Sequence, residues 1–108
     1  MTEDQAVQSL SALAHPMRLR IFRALVVAGA PGQTPGVLVE ALGLPNATLS
    51  FHLKELSHAG LVTVERASRN LVYRAAYDRM KGLLGFLTEN CCAGAPCGVD
   101  ATSATCEC

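Results

Sequence analysis

From Gln5 to His58, apolar side chains recur at the three- and four-residue spacing of helices, with Gly and Pro marking the breaks. From Leu61 to Ala76 they give way to two short β-rich runs. Ala6, Val7, Leu10, Leu13 and Ala14 predict a first amphipathic helix over residues 5–14. Pro16 opens a second helix, its missing N–H harmless in a first turn. That helix continues through Leu19, Ile21, Phe22, Leu25 and Val26 to a stop at Gly29. Residues 29–35 are a loop by their Gly and Pro content. Thr34 then caps a short third helix begun by Pro35, with Val37, Leu38 and Leu42 inward and Gly43 closing it. Leu44-Pro45-Asn46 leads tightly into a fourth helix of roughly 46–59, whose buried face carries Leu49, Leu53 and Leu56. Gly60 ends it. Residues 61–66 and 71–76, joined around Ala67-Ser68-Arg69-Asn70, predict a hairpin. Asp78 precedes a fifth helix bearing Met80, Leu83, Leu84 and Leu87. Past Asn90 the chain is small, polar and cysteine-rich without periodicity, the pattern of a tail that stays disordered until something holds it.

The pattern implies a mainly α (α+β) fold of five helices with a two-stranded β-hairpin. Two short helices across a tight turn, followed by a hairpin, make a winged helix-turn-helix, whose second helix enters the DNA major groove. With Leu49, Leu53 and Leu56 inward, Asn46, Ala47, Ser50, Phe51 and Lys54 face outward, and Thr48 and His52 lie on the flanks. Asn46, Thr48, Ser50 and His52 are short hydrogen-bonding groups suited to base edges and phosphates, and Lys54 suits a phosphate. Arg66, Arg69, Asn70 and Arg74 make the hairpin a basic wing able to reach backbone or minor groove. Taken alone, a polar outward face is equally what a solvated helix shows; the order of the elements carries the reading to DNA.

Composition changes this picture in two places. Formal net charge is zero, which speaks against a nucleic-acid partner until the charges are located. All nine basic residues lie between Arg18 and Lys81 against only Glu40, Glu55, Glu65 and Asp78, a local +5, while Glu3, Asp4, Glu89, Asp100 and Glu107 compensate at the ends. The cysteines are more uneven still: none precedes position 91, and Cys91, Cys92, Cys97, Cys106 and Cys108 crowd the last 18 residues. With half of the 108 residues hydrophobic, one packed domain is expected over residues 1–90, for DNA binding and dimerisation, with a separate sensing tail over 91–108. No apolar run approaches the roughly 18 residues of a membrane span, and the acidic start Met1-Thr2-Glu3-Asp4-Gln5 is unlike a secretory signal. The expected compartment is the cytoplasm, where an odd number of reduced thiols points to ligand chemistry rather than to disulfides.

Two stretches carry a resemblance. Leu10-Ser11-Ala12-Leu13-Ala14-His15-Pro16-Met17-Arg18-Leu19-Arg20-Ile21 resembles the "ALADPTRLRIL" opening of the ArsR/SmtB family of metal-responsive repressors. Residues 42–62, which include Ser50-Phe51-His52-Leu53-Lys54-Glu55-Leu56 and Ala59-Gly60-Leu61-Val62, are similar to that family's recognition helix and its "HLKxLxxAGLV" exit. The similarity covers about residues 5–90. It departs at Phe51, where many members carry Arg; a phenyl ring there suits apolar contact with a thymine methyl. His52 matches the family's recognition-helix histidine, for DNA or for packing. His15 reads as a cap or packing residue and His58 as a solvated helix end. No catalytic constellation appears: no histidine stands beside a nucleophile, and there is no phosphate-binding Gly-rich loop or carboxylate pair.

The resemblance also bears on the cysteines. Arsenic-sensing members often carry a Cys-Val-Cys pair in the third helix, and Pro35-Gly36-Val37-Leu38-Val39 has none. Cys91-Cys92-x4-Cys97 resembles the family's C-terminal arsenic site instead. Three thiolates make a soft, sulfur-only site, suited to the trigonal pyramid of As(III) or Sb(III), whereas zinc prefers four ligands. Ala93-Gly94-Ala95-Pro96 supplies the bend that returns Cys97, and Cys106 and Cys108 are weaker candidates at the extreme end. The expected molecule is a homodimer joined through the first and fifth helices. It would repress by binding operator DNA and leave on binding As(III), with Sb(III) or methylated arsenite as alternatives. Rival readings are a repressor of the same fold answering to oxidants or to Cd(II)/Pb(II), and a metalloid-sequestering thiol protein that does not bind DNA.

Overall fold

The computed structural model describes residues 1–94. Its elements run α1 (Glu3–Leu13), α2 (Pro16–Ala28), α3 (Pro35–Leu42), α4 (Asn46–His58), β1 (Val62–Ala67), β2 (Asn70–Ala75) and α5 (Tyr77–Leu87), then a 3-10 turn, Cys91–Gly94. Five helices and one antiparallel hairpin form a winged helix-turn-helix, with α3 and α4 as the paired helices and β1–β2 as the wing.

Local chemistry sets most of the boundaries. The α1 helix starts two residues earlier than its apolar pattern suggests because Thr2 closes a capping box: its Oγ1 accepts from Gln5 N–H at 3.1 Å, and Gln5 Oε1 accepts from Thr2 N–H at 3.0 Å. His15 caps α2 through Nδ1, which accepts from Met17 N–H at 3.2 Å ahead of Pro16. Thr34 Oγ1 caps α3, and Gly43, at φ 67°, turns the chain out of it in the left-handed conformation. The fifth helix begins at Tyr77, so Asp78 stands inside its first turn rather than before it.

The core gathers where α2, α3, α4 and the base of the wing meet. Ile21, Leu25, Leu49, Leu56 and Leu61 are fully enclosed, with Leu38, Leu53 and Phe22 beside them. Each such side chain contributes about 1.5–3 kcal/mol of hydrophobic stabilisation. Two helices differ from their apolar patterns. On α1 the buried residues are the small ones, Ala6, Ser9 and Ala12, which let its backbone approach the body, while Val7 and Leu10 stay 59% and 43% exposed. On α3, Leu38 alone is fully buried, and Val37 faces solvent instead of the core.

A two-stranded hairpin is marginal by itself, and this one is anchored at its base. Gln33, in the α2–α3 loop, pairs with Tyr73 in an isolated antiparallel bridge, with Gln33 N–H donating to Tyr73 O at 2.9 Å and Tyr73 N–H to Gln33 O at 2.8 Å. Tyr77 Oη donates to Val26 O at 3.1 Å, tying the start of α5 to the end of α2.

Candidate nucleic-acid interface and sensing segment

The α4 helix is presented by two features: the Gly43-Leu44-Pro45 turn that aims its first residue outward, and the Leu49/Leu53/Leu56 stripe that seats it on the core. Seven-residue spacing between Leu49 and Leu56 leaves one continuous outer face. Asn46, Ala47, Thr48, Ser50, Phe51 and Lys54 are all exposed along it, Phe51 to 55%. That face begins with hydrogen-bonding groups and ends with a cation, separated by one apolar ring.

His52 does not belong to it. It is only 6% exposed and is buried against α2, because the helical step from Leu49 and Leu56 turns it inward. Its Nδ1 accepts from Arg18 Nε at 3.2 Å, and its ring lies 4.7 Å from that of His15. Burial, then the neighbouring His15 and Arg18 charges, hold its pKa below the ordinary 6.5, so it is neutral and able to accept that bond. Of the two roles expected for His52, packing is the one its position allows.

Arg18 is the residue that sequence reasoning passed over. Its guanidinium also lies over the Phe51 ring, 5.6 Å from the centroid, linking the first turn of α2 to the outer face of α4. A signal was present, since Arg18 precedes Ile21 and Leu25 by three and seven residues and so shares their inward-facing stripe.

On the wing, Arg66, Arg69 and Asn70 are exposed, with Ser68-Arg69 forming a two-residue tip whose Ser68 takes φ 61°. Arg74, expected among the DNA contacts, is tied down instead. Its Nε donates to Ala30 O at 2.6 Å and its Nη1 pairs with Glu65 at 3.0 Å, so its fork serves the base of the wing.

At the other end of the molecule, Leu13, Leu19, Phe22, Val26, Val27, Met80, Leu83 and Leu84 line an apolar groove of about 400 Å³ between α1, α2 and α5. The segment expected to be without periodic structure begins with a 3-10 turn that holds Cys91 and Cys92, and Cys91 N–H donates to Thr88 O at 3.0 Å. The backbone of the first candidate ligand, Cys91, is therefore hydrogen-bonded to the residue that caps α5. Cys97, Cys106 and Cys108 lie outside the described residues, and among the described residues no three His, Cys, Asp or Glu side chains gather as metal ligands.

Comparison with known proteins identifies this arrangement. A helix-turn-helix domain family matches residues 13–65. The SmtB transcriptional repressor of Mycobacterium tuberculosis is 41% identical over 73 residues, 68% of this chain and 52% of the relative, so the chain spans about half of that protein. NolR from Sinorhizobium fredii superposes with a TM-score of 0.63 at 32% identity over 80% of this chain and 83% of NolR. A possible transcriptional regulator for arsenical resistance superposes at 0.65 with 29% identity, covering 74% and 80%. Mb0332 of Mycobacterium bovis, a homodimeric winged helix-turn-helix domain, does so at 0.65 with 28% identity, covering 81% of each chain. The chain thus belongs to the ArsR/SmtB family and is a DNA-binding transcriptional regulator, not an enzyme.

Proposed function

We propose that the protein is a homodimeric repressor that holds operator DNA through α4 and the wing, and lets go when As(III) is bound by Cys91, Cys92 and Cys97. Asn46, Thr48, Ser50 and Phe51 meet base edges, while Lys54, Arg66, Arg69 and Asn70 meet the backbone. Exposed Leu10, Leu84 and Leu87, beside the groove between α1, α2 and α5, are the apolar surface a second copy would cover. Two copies then read half-sites one helical turn apart on a palindromic operator.

The observation that carries the sensing half is the fastening of the Cys91–Gly94 turn to the end of α5. A metalloid held there draws on the helix that also borders the open apolar groove, and a coupling of about 1–3 kcal/mol is enough to shift DNA affinity 5- to 150-fold. The donor set favours As(III) or Sb(III): three thiolates with few neighbouring histidines or carboxylates in the sequence suit soft, three-coordinate ligation. Similarity to a possible regulator for arsenical resistance supports the same reading. The test is a mobility or fluorescence titration of operator release against As(III), Sb(III), Cd(II), Zn(II) and peroxide. Release by As(III) at concentrations stoichiometric with the sites is expected; release first by peroxide or by Cd(II) overturns the metalloid assignment.

A further inference from the structure

Arg18 links two elements that the helix-turn-helix motif does not itself connect. It stands in the first turn of α2, half-buried, while both of its partners belong to α4 and face different ways: His52 inward and Phe51 outward. The Nε–Nδ1 bond directs the guanidinium, and the 5.6 Å approach to the ring centroid is within the roughly 6 Å over which a cation is drawn to an aromatic face. His15 closes the group behind His52, and His52 also meets Phe51 edge-on at 5.7 Å. A phenyl ring 55% exposed on a groove-facing surface is otherwise free to swing between rotamers. Here one of its faces is occupied.

We propose that Arg18 is a positioning residue for DNA reading: anchored on His52, its guanidinium fixes the ring of Phe51 in the orientation that contacts a thymine methyl. This rests on the reading of α4 as the groove-entering helix. It assigns to a residue of α2 a share in sequence specificity, exerted without any base contact of its own. Arg is required for geometric reasons, because only a planar guanidinium can donate through Nε while stacking on a ring; a lysine ammonium supplies the charge but not the fork.

The experiment uses the full-length reduced protein and a duplex selected by it from a random-sequence pool, with a scrambled duplex as control. Each half-site thymine is replaced in turn by deoxyuridine, which removes only the methyl. In the parent, one symmetric substitution should weaken binding about fifteen-fold, about four-fold for each of the two buried methyl groups lost. Arg18→Gln and Arg18→Lys should each weaken selected-duplex binding about ten-fold, with little change on the scrambled duplex, and should erase the penalty at the deoxyuridine position. In a Phe51→Leu background the Arg18 substitutions should have no further effect. Melting temperatures within a few degrees of the parent establish that the variants are folded, and His52→Asn, which keeps an acceptor near Nδ1, should retain the methyl penalty. Rescue by Arg18→Lys with a salt slope restored to the parent's makes Arg18 a phosphate contact and overturns the proposal. An unchanged deoxyuridine penalty in Arg18→Gln overturns it as well. If Phe51→Leu, Ser50→Ala and Lys54→Ala all bind like the parent, the failure lies instead with α4 as the reading helix.

Discussion

At the scale of single residues, two glycines with nearly the same backbone angle have different work to do. Gly32, at φ 71°, would place a Cβ 2.7 Å from the Tyr73 carbonyl oxygen and 2.7 Å from Val72 Cγ1. Gly43, at φ 67°, opens on empty space. Gly43→Ala should therefore cost about 1 kcal/mol, the left-handed conformation alone. Gly32→Ala should cost about 3 kcal/mol, since a backbone oxygen cannot move aside without breaking the Gln33–Tyr73 pairing. Urea denaturation of both variants measures the difference. His52 gives a second expectation at this scale. Its pKa is depressed below 6.5, chiefly by burial and then by His15 and Arg18. Its neutral form therefore stabilises the fold fully above pH 6.5, and that contribution is lost as pH falls through the lower folded-state value. Below pH 6.5, His52→Asn should lose less stability on acidification than the parent does. Equal losses would show that the fold does not depress the His52 pKa.

At the scale of elements, the wing leaves one arginine exposed and ties another into its base. Arg69 stands at an exposed two-residue tip, whereas Arg74 is bound to Ala30 O and Glu65. Arg69→Ala should lower the salt dependence of operator binding by about one unit, the signature of a lost phosphate contact. Arg74→Ala should leave that slope unchanged and instead speed amide exchange at Gln33 and Tyr73, whose paired N–H groups hold the hairpin base. A one-unit fall in slope for Arg74→Ala would return it to the interface. The same contrast shows what is legible in the sequence. Helix order, caps and the α4 core stripe follow from local rules, because Pro16, Thr34, Gly29 and Gly43 act on their own neighbours and Leu49, Leu53 and Leu56 repeat at one period. The strand limits are displaced by one residue and the basic character of the wing is as read. What local rules do not reach is pairing across the chain. Arg74 meets a carbonyl 44 positions away, and Arg18 meets a histidine 34 positions away. The inner face of α1 departs from its pattern for a related reason: periodicity marks large apolar residues, but close approach selects the small ones.

At the scale of the whole molecule, the proposed DNA-reading surface and the proposed sensor lie on different parts of one chain, and in the proposed dimer α5 connects the second to the partner subunit. Leu84 and Leu87 leave an apolar strip open on that helix, 36% and 55% exposed. Sedimentation of the reduced, metal-free protein at micromolar concentration should show a dimer. Leu87→Lys should shift it toward monomer and weaken operator binding, since two half-sites would no longer be read together. The cysteines beyond α5 should behave in the opposite sense. Replacing Cys91, Cys92 or Cys97 by Ser removes no group from α4 or the wing, so operator affinity should stay at the parent's value. The same change substitutes a neutral hydroxyl for one of three soft thiolates, so As(III)-induced release should be abolished or need much higher concentrations. Cys106→Ser combined with Cys108→Ser should respond nearly as the parent does. X-ray absorption on the loaded protein should find arsenic bound by three sulfurs. If the three single variants release DNA at the parent's As(III) concentration while the Cys106/Cys108 double variant does not, the sensor belongs to the extreme C-terminus. Release driven by zinc in four-coordinate geometry would replace the metalloid by a metal. Intact affinity with lost release, in each of the three single variants, is the pattern that separates a sensing thiol from a residue that merely supports the fold, because a structural defect would reach the DNA-reading face as well.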